Sequence, residues 1–286
     1  MLQKLLTNLH GGRVLITGRY AVDGLLPHGK FAANLLRLDL DDLSGREIEQ
    51  LLARHPALAR LGDVVRAELV REFGGLPYVY DLLSSQAAGL SLEDVIHDVQ
   101  GRITEERKRR TAAEWEDVRR RAVEFAALEA TITRLPEPSR TLLKRLSIFR
   151  RAFPLKALEQ GLGATREDWQ SLLDWALLRY DPIEGDYRLH SLTARYSGDL
   201  LDAADRQATQ VQVAEWYLRY GREESHYLAD YLEAHHLLRA AGEGVRAGEL
   251  AMSLGEMLRR FGLYELLRQL CTLTITDTHN TLDVLI

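Results

Sequence analysis

From Ser44 onward the chain is written largely in helical periodicity, and one stretch interrupts it: WALLRYDPIEGDYRLH, Trp175 to His190. Two apolar–polar runs flank Asp181-Pro182-Ile183-Glu184-Gly185-Asp186, which is the pattern of a β-hairpin with its turn residues in the middle. Three short helical segments precede it: PSRTLLKRLSIF, FPLKALEQGLG and TREDWQSLLDWALL. The last is opened by a capping box, in which Thr165 and Asp168 satisfy each other's backbone amides. Three helices followed by a hairpin make a winged-helix pattern, predicted here over residues 135–203.

The segments before it follow the same logic. SGRE, Ser44 to Glu47, is a second capping box, and Ile48, Leu51 and Leu52 supply the apolar stripe behind it. A helix is predicted from about Pro56 to Phe73, striped by Leu61, Val64, Val65 and Leu69 and stopped at Gly74-Gly75. Pro77 suits the first turn of the next helix, PYVYDLLSSQAA, and SLED from Ser91 begins another. Residues 102–121, RITEERKRRTAAEWEDVRRR, alternate charges of both signs and read as a solvated helix face or linker rather than a nucleic-acid contact.

Beyond about Leu200 the pattern is helical again. AEWYLRY, HYLADYLEAHHLLRAAGE and AGELAMSLGEMLRRFGLYELLRQL suggest antiparallel helix pairs, with alanine and glycine where neighbours approach closely. They resemble the opening of a tetratricopeptide-type solenoid. The tail TLTITDTHNTLDVLI is rich in β-prone residues and ends on apolar ones, where a solenoid is expected to carry a polar cap.

The first 42 residues differ. Arg13–Thr17 and Leu35–Leu40 read as strands after an amphipathic start, MLQKLLTNLH. Two strands alone are marginal, so they are expected to belong to a larger α/β domain. The strand RVLITGR ends in Thr17-Gly18-Arg19, a tip suited to a charged ligand.

A formal charge of −5 argues mildly against bulk electrostatic binding to nucleic acid. A single cysteine, Cys271, cannot close an internal disulfide, which fits a reducing, cytoplasmic setting; its apolar surroundings predict a buried packing residue. No apolar run is long enough for a membrane span. The stretch GLLPHGKF, Gly24 to Phe31, matches G-x-x-x-x-G-K but has Phe31 where a Ser or Thr would hold Mg²⁺, and it leads into a strand rather than a helix. It reads as an ordinary loop. His235 and His236 are adjacent and so point to different faces of a helix, which makes a poor metal pair. No nucleophile elbow or H-E-x-x-H helix occurs, so no catalytic or metal-binding residue is assigned.

What carries a functional reading is an order: RVLITGR, LLRLDLDDLSGREIEQLL, GGLPYVY, then the winged-helix pattern ending in YRLHSLTARY. That order resembles the latter part of the STAND class of signalling NTPases, the NB-ARC and AP-ATPase relatives. The resemblance implies that RVLITGR is the sensor strand, with Thr17 and Arg19 directed to the terminal phosphate of a bound nucleotide. It implies that GGLPYVY is the Gly-x-Pro motif, in which Pro77 packs on adenine and Gly75 lets the backbone approach the ligand. It also implies that His190 is the winged-helix histidine contacting the β-phosphate; the acid that often follows it is Ser191 here.

The resemblance thus implies a mainly α chain. Residues 1–42 are the edge of an α/β nucleotide-binding domain, 43–101 a helical domain, 102–134 a charged helix or linker, 135–203 a winged helix and 204–286 TPR-like repeats. The P-loop and Walker B acids of the class would precede residue 1. The chain is therefore expected to be the regulatory portion of an ADP/ATP switch, with Mg²⁺ held only in an intact parent ATPase and neither hydrolysis nor tight nucleotide binding on its own. The expected partners are the missing nucleotide-binding half or an effector domain, a protein or peptide signal at the repeats, and further copies of the chain when activated; DNA and membrane are disfavoured. Two other readings stand beside this one: a DNA-binding regulator using TREDWQSLLDWALL, whose Glu167, Asp168 and Asp174 oppose phosphate, and a helical interaction scaffold without nucleotide control.

Overall fold

A computed structural model describes residues 43–283, apart from residues 88 and 89. The two strands expected in the first 42 residues, the GLLPHGKF loop, Thr17 and Arg19 lie outside the described residues. The described chain is mainly helical, as its periodicity predicts. No described helix is long and apolar enough to cross a membrane.

The first group of helices comprises α1 (Gly45–Ala53), α2 (Pro56–Ala59), α3 (Asp63–Phe73), α4 (Pro77–Gln86), α5 (Leu92–Lys108) and α6 (Ala112–Arg134). Ser44 and Glu47 cap α1 reciprocally, as expected. The single helix predicted from Pro56 to Phe73 is instead two. The chain bends at Arg60–Gly62, Gly62 becomes the N-cap of α3, and Arg66 donates to the Ala59 carbonyl at 2.6 Å. The break changes the buried register, so Leu69 and Phe73 face the core while Val64 is exposed. Helix α4 is the centre of this group: Val79, Tyr80, Leu82 and Leu83 have no exposed surface. Most of PYVYDLL is apolar because this helix is covered on every side except at Pro77 and Asp81, and each buried apolar side chain contributes about 1.5–3 kcal/mol by leaving water.

The charged stretch 102–121 crosses the junction of α5 and α6. Thr111 and Glu114 form a further capping box that starts α6. Its inward face, with Ala126, Ala127 and Ala130, packs on α4 and α5. A polar network sews the three helices together. Gln86 donates to Thr131 at 2.8 Å, and Arg134 donates to Gln86 and, at 2.6 Å, to Asp98. Buried polar groups demand such partners, and satisfied networks rigidify the packing around them.

The second group joins α7 (Glu137–Leu146), β1 (Phe153–Pro154), a π-helical turn (Ala157–Gly161), α8 (Arg166–Asp174), β2 (Leu178–Asp181), β3 (Asp186–Leu189) and α9 (Ser191–Asp199). The hairpin is present, with Leu178 opposite Leu189 and Tyr180 opposite Tyr187. β1 adds to its other edge, giving the antiparallel order β1-β3-β2. The segment FPLKALEQGLG is therefore not simply a helix: its first two residues enter the sheet and its middle forms the π-helical turn. The Thr165–Asp168 capping box holds α8 as read from the sequence.

The last group is α10 (Ala203–Tyr220), a second π-helical turn (Gly221–Ser225), α11 (Leu228–Ala240), α12 (Gly244–Arg260) and α13 (Tyr264–Asp283), each packed on its predecessor. The α11–α12 and α12–α13 turns are built alike. Gly242 and Gly262 adopt φ of 79° and 69°, and the following residue returns its amide to the helix it has left, Glu243 to Leu238 and Leu263 to Leu258. Glycine takes this left-handed position at no steric cost.

Two expectations fail here. The β-prone tail is helical through Asp283. Leu270 and Thr274 are buried, and the threonine hydroxyls bond back to the carbonyls of Arg268 and Leu270, so packing overrides β propensity. Cys271, expected to be buried, is exposed, because the neighbouring Leu270 takes the inward position.

Candidate functional site

Two of the residues singled out by motif, Pro77 and His190, are brought to one place by the side chain between them. Pro77 is the first residue of α4 and is exposed. Tyr78, the next residue, is buried, and its ring stacks on the His190 imidazole with centroids 3.9 Å apart and planes 21° from parallel. The Tyr78 hydroxyl hydrogen-bonds Thr193 on α9 and reaches the Ala176 carbonyl at 3.5 Å. Burial pushes the Tyr78 phenol well above its ordinary range, with Thr193 and Arg179 acting the other way, so it remains a neutral hydrogen-bonding group.

His190 follows β3 and is the N-cap of α9. Its Nδ1 accepts the Leu192 amide at 3.3 Å, which leaves the ring proton on Nε2. Histidine stands in an N-cap position that Ser, Thr, Asp or Asn usually fill, so its ring serves the cap and the stack together.

The other side of the junction is cationic. Arg179 of β2 lies 5.5 Å from the centroid of the Tyr78 ring and donates to Asp81 at 2.6 Å. Asp81 also meets His55 at 3.4 Å. Arg188 lies directly across the hairpin from Arg179, and like charges so placed repel. An open cleft beside this chain of contacts is lined by His55, Asp81, Ser84, Ser85, Ala176 and Arg179.

The two glycines before Pro77 have separate tasks. Gly74 ends α3 with φ of 59° and its carbonyl accepts the Tyr80 hydroxyl at 2.7 Å; burial raises the Tyr80 phenol to about 12. At Gly75 a Cβ would lie 2.8 Å from the Leu43 amide nitrogen. The close approach permitted there is to the Leu43 backbone.

Ala176 sits in the left-handed region at φ of 56°, where α8 turns into β2. Leu177 returns its amide to Leu172 at 2.9 Å, so Ala176 occupies the place glycine usually takes. Alanine there costs about 1–2 kcal/mol, against about 0.4–1 kcal/mol of extra unfolded-chain entropy for glycine. Ala176→Gly is expected to stabilise the chain by about 0.5–1 kcal/mol, read as a higher urea midpoint. A lower midpoint would show that the methyl group contributes packing that outweighs the strain.

The sequence reading singled out Pro77 and His190 but not Tyr78, Asp81, Arg179, Thr193 and His55, which the structure places beside them. Tyr78 had a visible signal, an aromatic directly after the proline. Arg179 had one in its place on the hairpin. His235 and His236 do diverge: His235 is buried and pairs with Thr274 at 3.0 Å, while burial and Arg150 lower the His236 imidazole. Among the described residues, no group of three His, Cys, Asp or Glu side chains could hold a metal ion.

No family model and no curated protein matches the sequence. Among solved structures, the chain is similar to a Signal Transduction ATPase with Numerous Domains (STAND) protein with a tetratricopeptide repeat sensor from Pyrococcus horikoshii, with a TM-score of 0.59 over 84% of this chain and 12% identity. At that identity the likeness is one of fold, and it supports the mainly α, solenoid-like architecture. The chain spans about a third of that protein, 31% of its length.

Proposed function

We propose that this chain is the regulatory portion of a STAND-type nucleotide switch, coupling an ADP- or ATP-bound state to signal sensing at helical repeats and to self-assembly. The observation that carries the reading is the meeting of the Gly-x-Pro loop and the YRLH histidine through Tyr78. It comes in the chain order helical group, helix–hairpin group, repeats, and the fold likeness to a STAND protein supports that order. On this reading, residues 43–101 are the helical domain and 102–134 its charged helical extension. Residues 135–203 are a winged helix with the β2–β3 hairpin as wing, and 204–286 are the start of a TPR-like sensor.

The described residues fit a nucleotide in kind. Pro77 is exposed and could pack on a base. His190, with its proton on Nε2, could donate to a phosphate oxygen. Thr17 and Arg19 would complete the site from residues outside those described. A bound nucleotide supplies the charge that such donors recognise. The chain's own part is to hold His190 and to present the Pro77 face. Mg²⁺ and hydrolysis belong to an intact parent carrying a phosphate-binding loop, and cytoplasmic residence follows from the same reading. The burial of Trp169 and Leu172 of α8 and the acids it carries argue against a DNA contact through this helix.

The test is ADP affinity in a parent protein that carries the phosphate-binding loop. A hydrogen bond to a charged oxygen is worth about 1.5–3 kcal/mol, so His190→Asn is expected to weaken ADP binding about tenfold or more. Asparagine preserves the N-cap, so loss of α9 is not the cause. Equal affinity in calorimetry would overturn the reading, as would Mg²⁺-dependent ATP turnover by the purified 286-residue chain.

A further inference from the structure

We propose that Tyr78 is a positioning residue that latches the helical group to the helix–hairpin group through His190. Its ring stacks on His190 from the second group, and the guanidinium of Arg179, also from the second group, lies over the same ring. Its hydroxyl adds a third tie, to Thr193. All three partners belong to β2 or to the start of α9, and all converge on one side chain of α4. A leucine at position 78 would fill similar volume but make none of these contacts.

The geometry makes the latch two-sided. Stacking holds the imidazole face to face with the tyrosine ring while the Leu192 amide holds Nδ1, so His190 cannot turn toward a new partner without weakening the stack. Asp81 draws Arg179 from below, and His55 braces Asp81. A group that engages His190 and turns its ring thus weakens a contact between the two helix groups. A ligand shifts a two-state arrangement only by its differential contacts with the two states, and this stack is such a differential contact. That the engaging group is a nucleotide rests on the reading above; the latch itself rests only on the chain's own contacts, and the two can fail separately.

The experiment uses the full 286-residue chain without nucleotide. Cys271 is exposed and is the chain's one cysteine, so Cys271→Ser gives a clean background. Spin labels go at Val64→Cys on α3 and Ile183→Cys at the hairpin tip, both exposed. A narrow distance distribution is expected, together with an upfield-shifted His190 ring signal from the Tyr78 ring current. Tyr78→Phe, which keeps both ring contacts, should preserve both features. Tyr78→Leu should broaden the distribution and abolish the upfield shift while circular dichroism stays helical. His190→Asn, which keeps the cap but removes the ring, should broaden the distribution equally, and it carries the test if Tyr78→Leu does not fold. A narrow, unchanged distribution in either folded variant overturns the latch whatever the nucleotide affinity proves to be.

Discussion

Asp230→Ala is expected to cost about 3 kcal/mol and to loosen the last helix group from the helix–hairpin group. Asp230 is buried near the start of α11. It accepts hydrogen bonds from Arg151, just before β1, and from Ser225 in the π-helical turn before α11. Removing one partner of a buried ion pair costs about 3–5 kcal/mol, since the other charge is left uncompensated. The lower end applies because Arg151 retains 36% of its side-chain exposure and some water can reach it. Two neighbouring pairs cross the same boundary, Arg150 with Glu233 at 3.0 Å and Lys156 with Glu224. These are more exposed, contribute little, and should weaken in high salt. The Arg151–Asp230 pair should not. Urea unfolding of Asp230→Ala at low and high salt reads both effects. A change under about 0.5 kcal/mol would mean that the pair merely replaces its desolvation cost, and replacing both partners by apolar residues would then be neutral too.

Much of this architecture was legible because it is local. Ser44–Glu47 and Thr165–Asp168 announce helix starts by residues three apart, and the hairpin announces itself within a dozen residues. Thr111–Glu114 carried the same signature as the first two, inside a stretch that its charge density disguised as a continuous face. The pairing that defines the candidate site was of another kind. Tyr78 reads as one more apolar residue of a covered helix, and the partner of its hydroxyl lies 115 positions away. No periodicity encodes that contact; the tertiary arrangement of α4, β2 and α9 creates it. The tail failed for the complementary reason, since its threonines favour strands in isolation and only the neighbouring helices make α13 the better state.

Trp216→Ala is the second large effect, expected to cost about 3–5 kcal/mol, as for other buried aromatic truncations. Trp216 on α10 is almost wholly buried, with Tyr220 stacked on it at 4.9 Å and Tyr217 at 4.8 Å. On its other side it meets Gly161, where a Cβ would come within 3.2 Å of the indole. The π-helical turn of the second group thus docks by backbone against α10, and Gln212 fastens it by donating to the Gly161 carbonyl at 2.8 Å. The indole Nε1 is buried with no hydrogen-bond partner among the described residues, so Trp216→Phe loses volume but no polar contact and should cost far less than the alanine change. Gly161→Ala adds a methyl group that the buried indole can admit only by shifting a few tenths of an ångström, and should cost about 1–3 kcal/mol by overpacking. Combining Gly161→Ala with Trp216→Ala should cost less than the two changes separately, because truncating the ring removes the atoms that the added methyl meets. Residues in contact show such non-additivity, and distant ones do not. Additive costs in the double variant, measured by urea unfolding, would show that the two groups do not share the docking surface. Recovery would make this glycine–indole contact part of the joint between the helix–hairpin group and the last helix group.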